Sequence, residues 1–377
     1  MHNDSSATPP SESPRKPQTN LFLQQAEACA HLGSPMYADL LERAAGDLGA
    51  GGVTAGVLAG HEADTGPSAL ALRLAGSVHR LVLERRAGAL AAFYPSVGGT
   101  WEPEGGWAAF RAVLAEQPDA VREWLDRPPQ TNEVGRATAL MGGLFRLGET
   151  YRLPVRLCEI GSSGGLNLLA DRFGYVDPAT GATVGDADSP VVLDPAWRGE
   201  PLVPWPDLEV VERAGSDLDP IDAATTEGRL ALTAYVWPDQ RARLERLRGA
   251  LELAQRHPVA VERAGAADFV ERLELRPGRT TVLWHSVMWQ YLAGAEQDRV
   301  RARIDELGAA ATHDAPFAHL LLEPTRRTPE AEHEFLVVLE TWPAGESRVL
   351  GTSAPHGLPT TWEQTTGLRQ GGRARVE

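Results

Sequence analysis

Hydrophobic positions recur at helical spacing through the first third of the chain. Leu74, Val78 and Leu81 form one stripe, and Trp107, Phe110, Val113 and Leu114 form the next. Gly-Gly pairs at 51–52 and 98–99 and Pro-Pro at 128–129 punctuate them, and period-two alternation is scarce. This pattern predicts an all-helical region over 21–151. Residues 1–20 carry charges, prolines and hydroxyls with hardly an apolar side chain, the composition of a disordered tail.

After Tyr151 the pattern changes. Short apolar runs alternate with longer amphipathic ones, as in a mostly parallel sheet with crossover helices. The strands expected are Val155–Ile160, Leu208–Val211 with an extension to Asp217, Val259–Val261, Thr280–Ser286 and Phe317–Leu322. Helices are expected over Arg243–Ala254, on Leu244, Leu247 and Leu251, and over Asp298–Leu307, with Gly308 as C-cap. Glu334–Thr341 and Arg348–Thr352 flank Pro-Ala-Gly-Glu and predict an antiparallel hairpin at the sheet edge. A polar, Gly/Pro/Asp-rich stretch over 174–206 reads as an insertion. The expectation is an α/β protein, with a helical N-terminal region followed by a Rossmann-like domain over 152–377.

Composition narrows the chemistry. Lys16 is the only lysine among 36 basic residues, and it falls in the polar tail. A Walker-type phosphate loop, a pyridoxal Schiff base and a kinase-type lysine therefore lack their residue. The two cysteines, Cys29 and Cys158, form no C-x-x-C pair, no two histidines stand at i,i+4, and no metal is expected. The net charge of −15 argues against nucleic-acid binding. With neither a secretory signal nor a run of about 18 apolar residues, a cytoplasmic protein without membrane attachment is expected.

The most informative segment is Leu157-Cys-Glu-Ile-Gly-Ser-Ser-Gly-Gly165, an apolar strand closing on Glu159 before a glycine-rich turn, with a helix expected from Leu166. Such a turn brings backbone close to a ligand. The glycine spacing does not fit the dinucleotide fingerprint G-x-G-x-x-G. Gly161-Ser-Ser-Gly-Gly165 fits G-x-S-x-G, the elbow of α/β-hydrolases, with Ser163 as nucleophile and Asp314 and His356 following in order. No HGGG-like segment precedes it to supply the second oxyanion donor. The turn also resembles the first motif of S-adenosylmethionine-dependent methyltransferases, an acid followed by G-x-G-x-G, with Ser163 in place of the middle glycine. A carboxylate at Glu159 suits the cofactor's ammonium, and the first position in the sheet suits that fold.

The chain resembles a bacterial family catalogued as domain of unknown function 2332. The segments that carry the resemblance are Phe93-Tyr-Pro-Ser-Val-Gly-Gly, Gln130-Thr-Asn-Glu-Val-Gly-Arg136, Glu159–Leu168, Asp217-Leu-Asp-Pro-Ile-Asp222, Tyr235-Val-Trp-Pro-Asp-Gln240 and His285-Ser-Val-Met-Trp-Gln-Tyr291. The resemblance implies a methyltransferase-like core and assigns no reaction.

On this reading S-adenosylmethionine is the cofactor, held by Glu159, Gly161, Ser163, Gly165 and Asn167. Asp217 at the end of the second strand would meet the ribose, though 56 residues separate it from Gly161. Asp268 would meet the adenine, or else cap the helix Phe269–Leu273. His285, at the end of the fourth strand, is the candidate base, with Trp289 and Tyr291 as pocket aromatics. Asn132, Glu133 and Arg136, at a helical entry capped by Asn132, are candidates for binding a small-molecule substrate, unless Glu133 and Arg136 simply pair. Trp237 joins them, with Pro238 starting the next helix. The helical region would close over the pocket. A sensor or assembly protein that keeps the cofactor pocket without turnover is the non-enzymatic alternative.

Overall fold

A computed structural model describes residues 15–127 and 129–364. The chain forms two compact units. One runs to Pro129 and takes in Thr233–Arg241; the other comprises Gln130–Leu232 and the chain from Ala242. The division therefore falls before the expected boundary at 151, and the helix Ala137–Gly148 belongs to the second unit.

The first unit is helical: Arg15–His31, Pro35–Gly49, Val53–Val57, Leu70–Leu83, Gly88–Ala91, Pro103–Glu116 and Pro118–Leu125. Its core gathers Leu74, Val78, Leu81, Phe110, Val113 and Leu114. The first helix begins at Arg15, inside the segment read as a tail, because Gln18 and Phe22 are buried against the bundle. Residues 1–14 of that expected tail lie outside the described residues. The excursion 233–241 joins this unit through polar anchors. Asp239 accepts hydrogen bonds from Ser34 Oγ at 2.6 Å and the Met36 amide at 3.0 Å, and Gln240 donates to Leu32 O at 2.7 Å.

Among the described residues the second unit contains twelve strands: β1 (Val155–Ile160), β2 (Gly174–Val176), β3 (Thr183–Gly185), β4 (Val192–Leu193), β5 (Trp197–Gly199), β6 (Val210–Asp217), β7 (Val261–Arg263), β8 (Thr280–Ser286), β9 (Phe317–Thr325), β10 (Glu334–Trp342), β11 (Glu346–Ser353) and β12 (Thr360–Trp362). The main sheet has nine strands in the order β5-β12-β11-β10-β9-β8-β1-β6-β7. β7, β6, β1, β8 and β9 are mutually parallel, so the crossover strands stand in the doubly wound order 3-2-1-4-5. All six residues of β1 are buried, as a central parallel strand requires. The fold is Rossmann-like, with an antiparallel C-terminal addition.

Helices cover both faces of the sheet. Ala266–Glu271 and Gly294–Ala310 pack on one, where Cys158, Leu283 and Leu321 meet Phe269, Val300, Ile304 and Leu307. Ala137–Gly148 lies on the other, and two of its glycines permit close approach. A Cβ at Gly142 would stand 2.0 Å from the Trp362 ring, and one at Gly143 would stand 2.5 Å from Leu320.

Several expected details move. The hairpin β10–β11 forms, yet β12 and β5 continue the sheet beyond it, so it is not the edge. The insertion 174–206 is ordered as a small β3-β2-β4 sheet plus β5, pinned by Trp197, which stacks on Tyr175 and donates to Thr138 O at 3.0 Å. Gly308 is no cap, since its helix continues to Ala310. It is glycine because a Cβ there would meet the Trp342 indole at 2.6 Å. Pro238 stands in the turn before the helix Arg241–Arg256, which it does not enter.

Gly142→Ala forces overpacking against Trp362 and is expected to cost about 1–3 kcal/mol in urea denaturation. Gly46→Ala, at an exposed helix position with no atom within 4 Å of its Cβ, is expected to add about 0.4–1 kcal/mol. Equal stabilities for the two variants would contradict the packing described.

Candidate functional site

In a doubly wound sheet the ligand crevice opens beyond the carboxyl ends of the strands where the order reverses, here between β1 and β8. Both loops at this point carry backbone strain. Ser163 after β1 has φ +53°, and Val287 after β8 has φ +50°. A β-branched residue at positive φ is a true outlier, and such strain collects at functional sites. Ser163 therefore adopts the left-handed conformation that the middle glycine of G-x-G-x-G supplies without cost. Gly161 and Gly165 flank it at φ +67° and +70°.

The turn is braced by side chains from other elements. Asp217, at the end of β6, accepts from the Ser163 amide and the Asp219 amide, each at 2.9 Å, and from Gln130 at 3.5 Å. Asn132 accepts from the Leu166 amide at 2.9 Å. It thus caps the segment after the glycine turn, while Glu133 caps its own short Val134–Arg136 turn. The segment Leu166–Arg172 is a kinked 3-10 stretch, where an α-helix was expected. The glycines leave no open platform, because their Cβ positions face Met288 (Gly161), Leu232 and Asn132 (Gly164) and Val261 (Gly165).

Glu159 is the chemically distinctive residue here. It is buried with Oε2 unpartnered, and the Ser163 Oγ and Asn167 Oδ1 nearby are likewise buried without a partner. Burial pushes its carboxyl up to about 8. The Asp217 charge adds to the rise, while Trp284, Arg136 and Ser162 oppose it. A carboxyl in this state carries its proton at neutral pH and releases it once a cation arrives.

Beside it lies an arginine-rich group that the sequence reading only partly captured. Glu133 accepts from Arg243 Nε at 2.7 Å and pairs with its NH2 at 2.6 Å, and His356 Nδ1 stands 3.5 Å away. Burial alone would raise Glu133, but Arg243, His356, Arg136 and Arg246 hold it at about 2. Burial, reinforced by Arg243, Arg136 and Arg246 against the pull of Glu133, lowers His356 to about 4. Arg136 does not pair with Glu133 as a neighbour three residues on. Its Nε donates to Pro355 O at 3.1 Å and its NH1 to Ser286 O at 3.2 Å. Gly135 and Gly357 allow the two backbones to meet there, since a Cβ on either would fall 2.3 Å from the other segment. Arg243 and Arg246 stand three apart on their helix, bordering the stripe Leu244, Leu247 and Leu251. That spacing was the available signal for them.

Four expected site residues lie elsewhere. His285 is fully buried, and its ring nitrogens contact Glu323 at 2.7 Å and His319 at 3.0 Å, with Glu340 next in line at 3.0 Å. In register Glu159 sits beside Trp284, and strand residues alternate between faces. His285 therefore projects from the face opposite Glu159, so it is no base for this crevice. Trp289 stacks on it at 5.3 Å, within the same core. Tyr291 is 61% exposed, and its phenol acts electrostatically on Arg136. Trp237 belongs to the core of the helical unit, 6.1 Å from the Tyr37 ring. Asp268 also differs from expectation: Gly265 caps its helix, and Asp268 is an exposed partner of Arg299 at 2.7 Å.

The hydrolase arrangement does not assemble. Asp314 O receives the Gly278 amide just before β8, at the amino end of the sheet, whereas Ser163 follows the carboxyl end of β1. Ser163 Oγ has no hydrogen-bond partner. Among the described residues no group of three His, Cys, Asp or Glu side chains is arranged to hold a metal, and no helix is long and apolar enough to cross a membrane.

The reversed strand order and the left-handed glycine turn define a Rossmann-like α/β protein with a topological switch point between β1 and β8. The chain belongs to the family described as uncharacterized protein conserved in bacteria (DUF2332), whose model matches residues 19–362. No curated protein and no solved structure matches it.

Glu159 is protonated in the native state over a range where the unfolded carboxyl is ionised, so the native state binds the extra proton. Its contribution to stability is complete below about 4.5 and is lost as pH rises toward about 8. Glu159→Gln should remove this loss, melting progressively above wild type as pH is raised from 5 to 8 in thermal denaturation. A constant offset between the two curves would contradict the assignment.

Proposed function

We propose that this protein binds S-adenosylmethionine at the β1–β8 crevice and transfers its methyl group to a small-molecule acceptor. One observation carries the reading: a buried carboxyl with an unpartnered oxygen, Glu159, closes the central strand directly before a turn whose third residue, Ser163, takes glycine's left-handed conformation. The acid-then-glycine motif, its place on the first strand and the 3-2-1-4-5 order support the same reading.

The residues fit the cofactor's parts unevenly. Glu159, once it releases its proton, offers a carboxylate to a primary ammonium. Asp217 has both oxygens engaged, Oδ1 with the Asp219 amide and Gln130 and Oδ2 with the Ser163 amide alone, so Oδ2 keeps a lone pair for a ribose hydroxyl. Ser163 Oγ and Asn167 Oδ1 are further buried polar atoms that a ligand would satisfy. Met288 fills the space before Gly161, and as a flexible side chain it is the one that has to give way. When bound, the sulfonium supplies an electrophilic methyl carbon. The protein's part is to align the acceptor with it, an effect worth roughly 7–11 kcal/mol when orientation is good. No proton transfer is assigned to His285, which faces the other side of the sheet.

Calorimetry tests the proposal. S-adenosylmethionine and its demethylated product are each expected to bind with Kd below about 100 µM. Binding at pH 7 should release a proton, seen as a heat that varies with buffer ionisation enthalpy. A charged hydrogen bond is worth about 1.5–3 kcal/mol, so Glu159→Gln should weaken binding by at least tenfold and abolish the proton release. Absence of binding by both compounds to folded wild-type protein overturns the proposal.

A further inference from the structure

We infer that Arg136, Arg243 and Arg246, together with His356, form an oxyanion-binding site at the mouth of the crevice, and that it takes the carboxylate or phosphate of an acidic small molecule. The residues come from three separate segments: the turn Val134–Arg136, the helix Arg241–Arg256, and the loop that follows β11. Around one carboxylate, Glu133, stand three guanidinium groups, and only Arg243 is paired with it. Arg136 gives its Nε and Nη1 to main-chain carbonyls, and among the described residues no ion pair joins it to a carboxylate, although the Glu133 and Glu323 charges act on it from further away. Arg246 has a buried Nε without any partner.

This composition is unusual for a purely structural ion pair. A buried pair needs one cation per anion, and surplus buried charge is costly unless something answers it. Here Glu133 pairs directly with Arg243, while Arg136 and Arg246 are answered only by the more distant charges of Glu133, Glu323 and Glu245. The deprotonated His356 adds none at neutral pH, and Arg246, with its buried Nε unpartnered, keeps a donor suited to carboxylate or phosphate. The chain's charge of −15 makes a concentrated basic locus stand out further, and it favours a small anion over a polyanion.

The position links this site to the cofactor reading. Arg136 bonds Ser286 O at the end of β8 and acts electrostatically on Glu159 at the end of β1. An anion held there would lie at the same crevice as the proposed cofactor. That it belongs to the methyl acceptor rests on the proposed function; that the site binds an anion does not.

The test uses the full chain, with inorganic phosphate and succinate as separate probes, read by thermal shift and calorimetry at constant ionic strength. At least one probe is expected to raise the melting temperature of wild type in a saturable way, and the stronger of the two identifies the anion class. Arg246→Gln, at a half-buried position, should weaken that response at least tenfold while melting near wild type without ligand. Arg256→Gln removes the same charge from an exposed end of the same helix and should leave the response unchanged. Failure of both probes to act on wild type, or equal loss in both variants, overturns the inference. S-adenosylmethionine titrations on the same samples separate the two ideas: cofactor binding without anion binding removes only the oxyanion site, and the converse removes only the cofactor assignment.

Discussion

The second unit is organised around a buried ion pair. Glu133 and Arg243 are each less than a tenth exposed, and they join a short turn at the start of the unit to a helix more than a hundred residues later. Removing one partner of such a pair strands the other charge in a low-dielectric interior, at a cost of about 3–5 kcal/mol. The pair therefore fixes where Gln130–Arg136 runs. From that placement Asn132 reaches the Leu166 amide, Arg136 reaches the end of β8, and Asn167 finds the Glu133 carbonyl at 3.3 Å. The glycine turn is thus held from outside by a segment that contributes no strand to the sheet.

That bracing changes what the glycines mean. In many nucleotide-binding turns the missing Cβ atoms make room for the ligand. Here the same absences admit Met288, Asn132, Leu232 and Val261, and the polar groups of the turn are partly answered by Asp217 and Asn132. What the proposed function draws on is instead the buried atoms without hydrogen-bond partners, Glu159 Oε2 above all, and the arginines gathered beside them. On the proposed reading, a carboxyl that gives up its proton to a cation would stand next to guanidinium groups that take an anion, two opposite electrostatic preferences side by side. A zwitterionic cofactor and an acidic acceptor would satisfy both.

The two histidine groups of the second unit illustrate how position in the sheet decides chemistry. His285, His319, Glu323 and Glu340 run across β8, β9 and β10 on the face covered by Ala266–Glu271 and Gly294–Ala310, linked in a row in which His285 and Glu323 are fully buried and Glu340 is partly exposed. Glu323 also accepts the Met288 and Trp289 amides, which holds the strained loop after Val287 in place. His356, on a loop that the sequence marks only with Gly and Pro, stands among the arginines instead.

Sequence by itself determined the elements whose signals are local. β1 and β8 have the expected bounds, because apolar residues dominate fully buried parallel strands even where Arg156, Glu159 and His285 interrupt them. The glycine turn, the acid before it and the acid ending β6 were legible for the same reason: each is set by backbone conformation or strand position. The helical character of the first unit was equally clear from its stripes. What only the tertiary structure decided is which way side chains point and which distant segments meet. A one-residue step along β8 moves His285 to the far face, and no pattern in a run as uniformly buried as Thr280–Ser286 marks the faces. Asn132 capping a turn 34 residues away, Trp237 joining the helical core, and Arg246 gathering with Arg136 depend on chain crossings that local periodicity does not encode.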